Sequence, residues 1–128
     1  MKKILIGLSL LLAFQFSYAQ EQALQDPLKQ LEGTWKVDLS PENPDDDNFT
    51  ELVIKEISPL GVKGSFYYSK LREGRINLNF DGVYFAFVTD DGSGDYNTSA
   101  IFKEGKLIGT THSLGRDFLA VWTAEKIE

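Results

Sequence analysis

The chain has 128 residues, with 13 Lys and Arg against 19 Asp and Glu, a formal net charge of −6, one histidine and no cysteine. So acidic a surface repels phosphate backbones and anionic headgroups, which excludes nucleic acid as a partner. Without cysteine there is no disulfide, lipid-modified cysteine, thiolate metal site or cysteine nucleophile, and a single histidine cannot build a histidine-based metal cluster.

In chain order, the first predicted element is a leader. Lys2 and Lys3 precede an apolar run from Ile4 to Phe14, and Ser17 and Ala19 form a small-x-small pattern before Gln20. This predicts a secretory signal peptide over residues 1–19, of bacterial type. The apolar run is short for a bilayer span, so the expected location is the periplasm or the medium, with no membrane attachment after cleavage. Loss of Lys2 and Lys3 would take the charge of −6 to about −8. About 109 residues would remain, enough for one core.

Residues 20–32 begin polar and then offer a helix start. Asp26 is placed to cap, Pro27 suits the first helical position, and Leu28 and Leu31 fall on one face. The expectation is a short helical plug for one end of the following domain, residues 33–128.

That domain reads as eight strands, at about 33–39, 49–57, 62–70, 75–80, 83–89, 96–103, 106–113 and 116–127. Trp35, Val37 and Leu39 alternate with Thr34, Lys36 and Asp38 on the first. The fourth places Ile76, Leu78 and Phe80 on one face. The connections after the first carry glycine at 61, 74, 82, 92 with 94, 105 and 115, and Asp81-Gly82 suits a two-residue hairpin. Only the loop 40–48 lacks glycine; it holds two prolines and the acids Glu42, Asp45, Asp46 and Asp47. A long meander of hairpins closes to remove its edges, so the predicted fold is all-β, an eight-stranded antiparallel up-and-down barrel.

The fifth and eighth strands are apolar on both faces. Val83, Phe85 and Phe87 oppose Tyr84, Ala86 and Val88, while Phe118, Ala120 and Trp122 oppose Leu119 and Val121. A closed barrel needs one apolar face per strand, and the surplus predicts a homodimer built on the outer one.

The Gly33-Thr34-Trp35 triplet, ahead of an up-and-down meander, resembles the calycin superfamily of lipocalins, fatty-acid-binding proteins and avidins. The resemblance implies that Trp35 closes the barrel floor and that a basic side chain from the last strand, Lys126, packs across it. It also implies a lumen that holds a small molecule. The spacing of Trp122, Ala124 and Lys126 is most similar to that of avidins, but Val37 and Phe66 stand where those proteins place biotin-binding asparagine and tyrosine. Biotin binding is therefore not carried over.

The candidate ligand-binding residues are Tyr68, Tyr96, Thr98, His112, Arg116 and Trp122. His112, if inward, would bond a ligand beside Thr110; Arg116 would either greet an anionic group at a mouth or sit in water opposite Asp117. Asp90, Asp91, Ser93 and Asp95 crowd one turn, but Tyr96 stands where a calcium loop needs glycine, so a solvated hairpin tip is the reading. Neither a catalytic set, a metal site nor a cofactor is predicted.

The leading expectation is an exported barrel that binds a small apolar or amphipathic molecule in its lumen. The alternative is a periplasmic protein-interaction or protease-inhibitor module that inserts residues 20–26 into its target. The third is a calycin-type enzyme, in which His112 would have to converge with Tyr68 or Glu56.

Overall fold

The computed structural model describes residues 27–128 together with Gln15 and Tyr18. The signal peptide expected over residues 1–19 and the segment 20–26 otherwise lie outside the described residues. The chain divides into two compact units, Met1–Gln30 and Leu31–Glu128. Within the first, residues 27–29 form a helical turn; the expected plug otherwise falls on residues that are not described.

The second unit is all-β. Nine strands run β1 (Gly33–Asp38), β2 (Phe49–Ser58), β3 (Gly61–Phe66), β4 (Ser69–Lys70), β5 (Arg72–Phe80), β6 (Gly82–Asp90), β7 (Asp95–Lys103), β8 (Lys106–Ser113) and β9 (Phe118–Lys126). They form one antiparallel sheet in the order β4-β3-β2-β1-β9-β8-β7-β6-β5. Pairing of β1 with β9 joins the two halves of the meander, and the result is a nearly closed barrel. This architecture is shared well beyond calycins.

The count of nine corrects the expected eight. The predicted third strand, 62–70, is broken by a two-residue turn at Tyr67 and Tyr68, whose φ angles are 50° and 66°. Phe66 pairs with Ser69 around it, so the short β4 folds back on β3. Both values suit the primed turn that strand twist prefers, although bulky residues seldom adopt them.

Gly74, a turn residue by its sequence pattern, lies inside β5, at the seam where β3 and β5 meet without a continuous ladder. A Cβ at 74 would stand 2.5 Å from the Val62 carbonyl oxygen, so this position needs glycine for backbone approach. Beside it the Leu71 amide donates to the Gly64 carbonyl at 3.0 Å. The expected Asp81-Gly82 two-residue hairpin is also absent: Phe80 pairs directly with Gly82, after a shift in register between Asn77 and Phe80. That shift turns Phe80 outward, 76% exposed and 6.0 Å from the Tyr84 ring, rather than inward with Ile76 and Leu78.

Directly paired residues share a face, so the registers define rows of inward side chains. One row runs Val83, Phe102, Leu107, Ala124, Val37 and Thr50. The next toward one end is Phe85, Ala100, Gly109 and Trp122, in which small residues admit the indole. On the far side Trp35 is buried and its Nε1 donates to the Leu31 carbonyl at 2.9 Å. The β1–β9 ladder sets Lys126 opposite it. Phe66, Phe87 and Trp122 meet ring to ring, with centroids 5.7 and 5.5 Å from Phe66, so aromatic side chains form a packed layer across the middle of the barrel.

Candidate functional site

Above the Trp122 row the inward residues become smaller. Phe87 is followed across the sheet by Thr98, Thr111 and Ala120, and the row at the mouth is Thr89, Tyr96, Ser113 and Phe118. Ala120 and two threonines cannot fill the width that Phe85 and Trp122 fill one row below. The space left is a cavity of about 330 Å³, bounded across the barrel by Phe66, Tyr67, Ser69, Leu39 and Asn48. A larger hollow of about 490 Å³ overlies the seam among Glu56, Lys63, Lys70 and Glu73, but contacting backbones underlie it and charged side chains surround it. The mouth cavity has the apolar walls and convergent polar groups expected of a binding site.

Its floor is fixed by a chain of hydrogen bonds. The buried Trp122 Nε1 donates to Thr111 Oγ1 at 3.1 Å, and Thr111 and Thr98 share a hydroxyl bond at 3.0 Å. In a dry interior each of these polar atoms needs its partner, so the network also holds the indole in one orientation.

The rim is built around Asp91. Its Oδ1 accepts from the Ser93 amide at 3.0 Å and from the Ser93 hydroxyl. Its Oδ2 accepts from the Tyr96 hydroxyl at 2.8 Å and from Arg116 Nη2 at 3.3 Å. Arg116 Nε donates to Ser93 Oγ at 3.1 Å. These bonds, led by those from Ser93 and then Tyr96, with Arg116 adding a smaller pull, lower the Asp91 pKa to about 2. The turn is a self-contained clasp: Asp90 and Asp91 each cap their own backbone, with Gly92 N donating to Asp90 at 2.7 Å. No cluster of three metal-capable side chains occurs among the described residues.

Of the residues singled out in the sequence, Tyr96 and Arg116 line the cavity, while Thr98 and Trp122 lie beneath it, joined through Thr111. Arg116 pairs with Asp91 rather than Asp117. Tyr68 does not line the cavity; it sits at the tip of the β3–β4 turn, 82% exposed, and Tyr67 takes the place beside the mouth. His112 points outward. Leu107, Gly109, Thr111 and Ser113 take the inward side of β8, which leaves His112 on the outer face between Asn97 and Leu119. Tyr84, Ala86, Val88, Leu119 and Val121 also face outward, the last two 65% and 52% exposed.

Sequence reasoning missed Thr89 and took Asp91 only for part of a solvated hairpin tip. Thr89 shares the parity of Phe85 and Phe87, and a threonine continuing an inward aromatic run was the available signal. No protein-family model, curated protein or solved structure matches this chain.

Proposed function

We propose that the protein is an exported, calycin-like barrel that binds a small, mostly apolar molecule in the mouth cavity. The observation that supports this reading is the change in side-chain size across one row. Thr98, Thr111 and Ala120 leave a hollow of about 330 Å³ directly above a packed layer, and aromatic side chains wall it. Its volume lies at the small end of ligand sites, and the ring cluster of Phe66, Phe87 and Trp122 stands beneath it, in the way of a long acyl chain. The ligand is therefore compact, and its polar part faces Tyr96, Asp91 and Arg116.

Thermal-shift and tryptophan-fluorescence screens against lipids, haem and aromatic metabolites test this, because Trp122 reports on Thr111 at the cavity floor. Compact aromatic compounds are expected to raise the melting temperature of the native protein. The same compounds should leave Ala120→Leu unmoved, since the added methyl groups occupy the space. A library that shifts neither protein, or both equally, would end the proposal.

A further inference from the structure

The polar groups at the cavity divide into those already satisfied and those still open. Asp91 receives four donors, as many as a carboxylate has lone-pair positions, so it has nothing left to offer a cationic ligand. Thr111 is engaged by Trp122 and Thr98. Thr89 is different. It lines the cavity and is only 5% exposed, and the hydroxyl bonds of the cavity floor run through Thr98 and Thr111 and leave it out. Unlike Thr50 Oγ1, it is not sealed in the core, and the space it borders is the cavity, so a ligand there can take up its open bonding capacity. Arg116 leaves its Nη1 edge open while Asp91 and Ser93 hold the rest of the guanidinium still.

The charges nearby set the sign of what can enter. Asp91 neutralises Arg116, and Asp95 pairs with Arg72 at 2.8 Å. Asp90 and Asp117 remain at the same end of the barrel and find no ion-pair partner among the described residues. The mouth is thus net negative and repels an anion, while the carboxylate that lines the cavity has no open acceptor position for the N–H groups of a cation.

Resting on the small-molecule reading above, we propose that the ligand is an uncharged, ring-bearing molecule with a carbonyl-type oxygen. That oxygen accepts from the Thr89 hydroxyl in the cavity wall. The ring lies among Phe66, Tyr67 and Phe118, and the open edge of Arg116 covers the polar atoms left at the mouth.

Three probes that share one ring system separate the terms: naphthamide, naphthoate and naphthylmethylamine, titrated calorimetrically into the native protein. The amide is expected to bind about tenfold more tightly than either ion. Thr89→Val keeps the side-chain shape and should bring the amide down to the level of the ions, with an unchanged melting curve in the absence of ligand. Equal or tighter binding of naphthoate or the amine, or an amide preference that survives Thr89→Val, overturns the head-group assignment and leaves the cavity reading standing. Failure of all three probes to bind at millimolar concentration would remove the cavity reading with it.

Discussion

Gly109 lies opposite Trp122 in the β8–β9 ladder, and a Cβ at 109 would come within 2.2 Å of the indole. Nothing in the backbone at this position calls for glycine; the requirement is the ring itself. Gly109→Ala should therefore displace Trp122 and strain its bond to Thr111. Overpacking of this kind costs about 1–3 kcal/mol. Urea denaturation with near-ultraviolet circular dichroism measures both effects, and a variant as stable as the native protein would contradict the placement of the indole.

Thr50 is inward on β2, opposite Val37, and its Oγ1 is buried with no hydrogen-bond partner. Valine has the same shape and no polar atom to leave unsatisfied. Thr50→Val is expected to stabilise the fold by about 1 kcal/mol. Chemical denaturation gives the sign directly, and a loss of stability would mean that the hydroxyl is satisfied in solution.

Tyr67 and Tyr68 both hold left-handed backbone angles, which cost about 1–2 kcal/mol per residue for ordinary side chains. The double change Tyr67→Asn with Tyr68→Gly supplies the residues that the turn prefers. It should raise the melting temperature. If Tyr67 also covers the cavity, the more stable variant will bind ligand more weakly, and such a trade would explain why a strained turn is kept at this position. A variant improved in both respects would refute that explanation.

Asp91 titrates at about 2 in the folded chain against an ordinary 3.8. A depressed carboxyl stabilises the fold above its unfolded value, and the contribution is lost as the pH falls through the folded one. Stability should thus fall as the pH drops from about 4 to about 2, and Asp91→Asn should flatten that fall. Asp81, also lowered by its hydrogen bonds to Lys103 and Tyr84, contributes in the same direction and will remain in the variant. Denaturation midpoints across this window decide it; identical profiles for the two proteins would deny Asp91 its role.

Much of the barrel was legible because most strands keep strict period-two alternation, which survives whatever the neighbours are. The failures have separate physical causes. Tyr67-Tyr68 has none of the glycine or asparagine that marks a primed turn, so the break between β3 and β4 left no local trace. Gly74 did leave a trace, but as a packing glycine at the seam its signal imitates a turn. Phe80 follows the alternation of Ile76 and Leu78 in sequence, and only the register shift turns it away. The outward position of His112 was available from parity, since Leu107 must be inward and His112 lies an odd number of residues beyond it. The cavity depends on side-chain sizes in four different strands at one level, and no one-dimensional pattern records which residues share a level.

Every ladder among the described residues joins strands that are neighbours in sequence, except β1 with β9. The other pairings can zip up hairpin by hairpin at little loop-closure cost, whereas this one waits until both halves of the meander have formed. Its bonds should be largely absent from the rate-limiting barrier of folding. Weakening the β1–β9 ladder would then hasten unfolding and leave the folding rate almost untouched. The lifetime of the native barrel, as distinct from its equilibrium stability, is set where Trp35 meets Lys126 and Val37 meets Ala124.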